Sequence, residues 1–225
     1  MRSVALLVLA AALIALDGAR GAAQQPAGGR PLVLVAELDG IIHPISAEYL
    51  TSVIDQGDTS GADLIVFILR TPGGLLDSTQ EIVSRMITSR APVAVLVAPP
   101  GSRAASAGFV ITIAADIAAM APGTHIGAAH PVSGTSQTMD ATMSEKMASD
   151  TAAYVRSLAE ARGRSVMLAE EAVLKSRAFT DREALDAMPP LVDLNAKDVD
   201  ELLQRLDGRT IKRFDGRAAS HARPT

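Results

Sequence analysis

Residues 62–74 read Ala62-Asp-Leu-Ile-Val-Phe-Ile-Leu-Arg-Thr-Pro-Gly-Gly74. The apolar run has no polar alternation, which is the pattern of a strand buried on both faces, as in a parallel sheet. The Thr-Pro-Gly-Gly turn ends it. Downstream, Leu75 to Ile87 reads as a helix and Pro92 to Ala98 as another continuous apolar strand. Upstream, Pro31 to Leu38 reads as a strand closed by Asp39-Gly40. Ser46 to Gln56 then puts Tyr49, Leu50, Val53 and Ile54 on one helical face, with Ser46 available as the cap. Strand, helix, strand, helix, strand is the order of right-handed crossover units, so the expected class is α/β with a mainly parallel sheet. In such sheets ligands sit beyond the carboxyl ends of the strands, where the Gly73-Gly74 turn lies.

The next such end carries Gly101-Ser-Arg-Ala-Ala-Ser-Ala-Gly108, between the apolar run that closes at Pro100 and a second that opens at Phe109. Ser106 therefore occupies a strand-to-helix turn, and two readings of it are open. It can cap the helix, as serine commonly does. It can also be a nucleophile, with the N–H of Ala107 at the positive end of the helix facing the oxyanion that attack on a carbonyl creates. Beyond it, the sequence predicts a helix to Ala115, a short strand at Ile117–Met120, a loop from Gly123 to Pro131 and a mobile polar loop from Ser133 to Asp140. Ser144 to Arg162 is the longest helical segment, with Lys146 in its first turns. Further helices are expected at Val166–Ser176, Asp181–Ala187 and Asp198–Leu206, and an outer strand at Leu191–Leu194.

The chain has 225 residues, enough for one domain with a core that needs no disulfide or metal. Apolar residues make up 48% and aromatics only 3%, so that core is aliphatic. The absence of cysteine excludes thiolate catalysis and thiolate zinc sites. No cofactor or metal is expected. A net charge of -4 without a basic run argues against nucleic acid as a partner. At the amino terminus Arg2 precedes the apolar run Val4–Leu16, which is short for a bilayer span, and small residues follow it. Residues 1–23 read as a secretory signal peptide, with an uncleaved membrane anchor as the alternative. Residues 24–30 form a linker, 31–208 the domain and 209–225 a polar tail. The expected location is exported, or membrane-associated if the first segment is retained.

Ser106, the diglycine turn and Lys146, 40 residues beyond the serine, form a chemical constellation. A lysine whose pKa falls through burial or neighbouring positive charge serves as general base for a serine. An N–H of Gly73 or Gly74 and that of Ala107 would hold the oxyanion. Taken singly, a diglycine is a turn and a helical lysine is solvated; the combination carries the reading.

The stretches Thr71-Pro-Gly-Gly-Leu75, Ala98 to Gly108, Ala118-Ala-Met-Ala-Pro-Gly-Thr-His-Ile-Gly-Ala-Ala129 and Lys146 with Asp150 to Arg164 resemble the NfeD-type membrane-bound serine proteases of the ClpP/crotonase fold. The resemblance runs from about Pro31 to Gly208. It implies a ClpP-like serine protease domain with Ser106 as nucleophile, Lys146 as general base and Gly73, Gly74 and Ala107 around the oxyanion. It implies peptide substrates along a strand edge, cleavage near hydrophobic segments, a homodimer or larger oligomer, and a stomatin-like membrane protein as substrate or partner. Two features depart from the family pattern. The chain stops at Thr225, where relatives continue into membrane helices, so a short form is expected. His130 stands where a small polar residue is usual, and a histidine serves as base in ClpP relatives, so Ser106–His130 is the alternative arrangement. Two other functions compete: a non-catalytic peptide-binding scaffold, and a crotonase-like acyl-CoA enzyme, which the export signal disfavours.

Overall fold

The computed structural model describes residues 31–132, 140–216 and 218–220. The expected signal segment, the linker, the Ser133–Met139 part of the polar loop, and Arg217 and residues 221–225 of the expected tail lie outside the described residues. Five parallel strands form the main sheet in the order β1 (Val33–Asp39), β2 (Leu64–Arg70), β3 (Val93–Val97), β5 (Ile117–Met120) and β8 (Leu194–Asn195). A smaller sheet holds β4 (Arg103–Ala105), β6 (His125–Gly127) and β7 (Ala178–Thr180), with β4 and β6 parallel and β7 antiparallel. The helices are α1 (Pro44–Ser60), α2 (Leu76–Thr88), α3 (Ala107–Ala114), α4 (Ala141–Arg162), α5 (Val166–Leu174), α6 (Asp181–Asp186) and α7 (Val199–Leu206). The α/β class with a mainly parallel sheet and crossover helices is the one expected from sequence.

The unbroken apolar runs have a simple cause. Along β2 and β3, Ile65, Phe67, Leu69, Val93, Val95 and Val97 enter the larger core, while their neighbours Leu64, Val66, Ala94 and Leu96 enter a second core on the opposite face. Successive side chains point to opposite faces, and both faces are covered. Each valine, leucine, isoleucine or phenylalanine among them, fully buried, contributes about 1.5–3 kcal/mol. The larger core lies among α1 to α5, and the smaller one lies against α7 and Ile211.

Several boundaries differ from the sequence reading. α1 starts at Pro44, with His43 at the cap position, because the fixed φ of proline suits the first helical turn. Ser46 does not cap; its hydroxyl accepts the His43 N–H at 2.8 Å from inside the helix. The 123–131 segment, read as a loop, contains β6. The segment after Gly208 is a hairpin of β9 (Thr210–Lys212) and β10 (Ala218–Ser220), which buries Ile211 and Arg213.

α3 is buried on every side, all eight of its residues being enclosed. A buried helix must satisfy its terminal carbonyls. The Arg162 guanidinium donates to Ala114 O at 2.8 Å, and Arg164 donates to the carbonyls of Ile113 and Ala115. Asp116 holds Arg162 at 2.7 Å and accepts the Val93 N–H at 2.8 Å, with Arg213 at 3.4 Å; Asp193 holds Arg164 at 2.6 Å. Burial pulls the Arg162 guanidinium below its usual range, and the Asp116 carboxylate offsets part of that cost. Its guanidinium also stacks on Phe214, 5.1 Å from the ring centre.

Candidate active site

β4 delivers the chain to Ser106 and α3 departs from it. The Ser106 N–H donates to Gly127 O at 2.8 Å, and Ser106 O accepts the Val110 N–H at 3.2 Å, the first bond of the helix. Ser106 holds φ 53° and ψ −113° and makes no side-chain capping bond, although it stands at the cap position. A non-glycine residue there costs about 1–3 kcal/mol and persists only where the surroundings enforce it. The capping function expected from sequence is therefore not performed. The half-buried hydroxyl is free of the helix, while the Ala107 N–H that follows has no partner among the described residues.

The diglycine turn closes on this serine. Gly73 has φ 124°, and a Cβ there would sit 2.7 Å from Ser106 Cβ and 3.2 Å from Ser106 Oγ. Only glycine satisfies both the backbone angle and the contact. On the other side, Gly108 lets the first turn of α3 approach β2, since a Cβ there would meet Thr71 Cγ2 at 2.4 Å. The two glycines differ in their hydrogen bonds. Gly73 N–H donates to Thr71 Oγ1 at 3.1 Å, whereas Gly74 N–H has no partner among the described residues. Gly74 also bridges Ile42, which ties the turn to the segment between β1 and α1.

The structure thus brings Ser106, Gly73, Gly74 and Ala107 to one edge. Lys146 lies in the second turn of α4, exposed, and no hydrogen bond joins it to Ser106 among the described residues. His130 is half-buried, with Nδ1 3.0 Å from Val173 O, and it too is not bonded to the serine. Burial pushes the Tyr154 hydroxyl of α4 up to about 12, which removes it as a base near neutrality. His43 lies at the start of α1 and His125 on β6, and neither side chain is bonded to Ser106 among the described residues. Thr71 was not singled out in the sequence, although it belongs to the Thr-Pro-Gly-Gly turn that was. Arg162 and Arg164 were legible only as charges near a helix end.

A mainly parallel sheet with a strained serine and free backbone donors where α3 begins places the chain among α/β proteins with a serine at a strand-to-helix turn. This chain belongs to the family of NfeD1b N-terminal domains, whose model matches residues 33–206. The membrane-bound protease PH1510 of Pyrococcus horikoshii is 36% identical over 188 residues, 83% of this chain and 42% of that protein. The membrane protein NfeD1b of Bacillus subtilis is 35% identical over 94 residues, 42% of this chain and 21% of that protein. The chain therefore spans less than half the length of either relative. Among solved structures, a serine-to-alanine mutant of the 1510-N membrane-bound stomatin-specific protease superposes with a TM-score of 0.79 at 34% identity, covering 86% of this chain and 94% of that one. A lysine-to-alanine mutant of 1510-N in complex with a substrate peptide gives 0.78 at 34%, covering 86% and 88%. No helix among the described residues is long and apolar enough to cross a membrane.

Proposed function

We propose that this domain is a serine endopeptidase with a Ser106–Lys146 dyad. The observation that carries the reading is the strained Ser106, held against Gly73 and followed by the unpartnered Ala107 N–H. In the reaction, a neutral Lys146 amine takes the Ser106 proton as Oγ attacks the substrate carbonyl carbon. The oxyanion is held by Ala107 N–H and a diglycine N–H, and the Lys146 ammonium then gives its proton to the leaving amine. A water deprotonated by the same amine hydrolyses the acyl-enzyme. Support for the pair comes from the 1510-N mutants, in which the replaced serine and lysine are separated by nearly the same length of chain as Ser106 and Lys146.

Lys146 is exposed, so the reading requires that substrate or a second copy of the chain cover the start of α4, where Met143 is also 53% exposed. A homodimer or larger oligomer fits that need. By likeness to the stomatin-specific relative, the substrate is a hydrophobic segment of a stomatin-like membrane protein. Residues 1–23 would export the domain, or hold it at a membrane if retained. His130 is the second reading for the base, favoured by Val173 O on Nδ1, which leaves Nε2 as the acceptor.

The test is hydrolysis of a hydrophobic peptide, together with fluorophosphonate labelling, in the full chain. Ser106→Ala and Lys146→Ala are each expected to lose at least about 10,000-fold in kcat, with unfolding midpoints unchanged, and His130→Ala to stay within a few fold. Loss in His130→Ala with full activity in Lys146→Ala would transfer the role of base. No labelling and no hydrolysis by the wild type would leave the scaffold reading.

A further inference from the structure

Thr71 lies between the two walls of the candidate site and is 1% exposed. Its main chain is fixed to the small sheet: Thr71 N–H donates to Arg103 O at 2.8 Å, and Ala105 N–H donates to Thr71 O at 3.1 Å. Its methyl group occupies the space that the absence of a Cβ at Gly108 leaves open. Its hydroxyl closes on Gly73 in both directions, accepting the Gly73 N–H and donating to Gly73 O, each at 3.1 Å. Gly73 O also accepts the Ile42 N–H at 2.9 Å, so this carbonyl is held from two sides.

The orientation of the next N–H follows. The Gly73–Gly74 peptide is trans, so the Gly74 N–H points opposite to the Gly73 carbonyl, away from Thr71 and Ile42. The Gly73 N–H is already engaged by the hydroxyl, and the Gly74 N–H is the unpartnered one among the described residues.

We propose that Thr71 is a positioning residue: its hydroxyl fixes the Gly73–Gly74 peptide so that Gly74, not Gly73, supplies the second oxyanion donor beside Ala107. The proposal rests on the peptidase reading above. Thr71 touches no substrate and acts through the diglycine turn. Because the donor works on charge that develops in the transition state, its loss falls on kcat and not on KM.

The experiment compares Thr71→Val, which keeps the shape and removes the hydroxyl, with Thr71→Ser, which keeps the hydroxyl and removes the methyl. In peptide hydrolysis by the full chain, Thr71→Val is expected to lose about 10- to 100-fold in kcat with KM within about twofold, and Thr71→Ser to stay within about threefold of wild type. Wild-type kcat in Thr71→Val overturns the proposal. So does a Thr71→Ser protein that falls as far as Thr71→Val while both lose unfolding midpoint equally, since that marks a packing role. A wild type indistinguishable from Ser106→Ala sinks the peptidase reading instead. Amide exchange then judges the clamp: Gly73 N–H protection lost in Thr71→Val and kept in Thr71→Ser upholds it, and equal protection in all three proteins refutes it.

Discussion

At the amino end of α3 the Ala107 N–H has no partner among the described residues and Ser106 sits at φ 53°. At the carboxyl end, the carbonyls of Ile113, Ala114 and Ala115 accept from Arg162 and Arg164, which are in turn paired with Asp116 and Asp193. One short helix therefore has a strained, unsatisfied end and a saturated one. The second makes the first tolerable: a strained residue persists where its surroundings over-determine it, and the buried ion pairs at the far end pin the helix that does so. The contrast also places cations at the negative end of the helix dipole, leaving the positive end open to a developing anion.

The sharpest way to break this division is Asp116→Ala, which leaves Arg162 and Arg213 buried without their shared carboxylate. It is expected to cost about 3–5 kcal/mol in denaturant unfolding, while fluorophosphonate labelling of Ser106 per folded molecule stays within about threefold of wild type. A labelling rate that fell in proportion to stability would show that the two ends are not separable. Next in size is Arg164→Met, which removes the donors to Ile113 and Ala115 and is expected to lower stability by about 2–3 kcal/mol in the same titration. No change would mean that these carbonyls need no guanidinium. Smallest and opposite in sign is Ser106→Gly. Relief of the positive-φ strain outweighs the added freedom of the unfolded chain, so the protein should gain about 1 kcal/mol by thermal unfolding while losing all labelling. A destabilised Ser106→Gly would show that the turn is not strained.

The parts of this fold that were legible in the sequence are those where burial is two-sided. β2, β3 and β5 read as strands because nearly every side chain in them is apolar or small, and α1 and α2 carry one apolar stripe. β4, β6 and β7 escaped because three residues are too few for a period. Their pairing depends on distant partners such as Arg103 with His125 and His125 with Thr180. The β9–β10 hairpin escaped for a related reason: its fastening is Arg213 on Asp116 and Ser89, which no local pattern records. At the site, sequence brought Ser106 and the diglycine together at one sheet edge. Whether a serine at such a turn caps or is strained depends on φ, which Gly73 and Gly127 impose through space. Whether Lys146 bonds Ser106 was likewise invisible, because 40 residues of chain fix no distance.

The start of α4 is a cantilever. Ala148 is its first fully buried residue, so the first two turns, about 10 Å of helix, overhang the packed body with only Ser144 and Met147 partly covered. Their cap residue Asp140 makes no side-chain capping bond. So short a helical stretch is marginal by itself in water, and the overhang draws its order from the anchored turns behind it. Lys146 rides on this overhang. Changes there should register in amide exchange of the first two turns and in the approach of the lysine to the serine, while the unfolding midpoint, set by the anchored half, stays where it is.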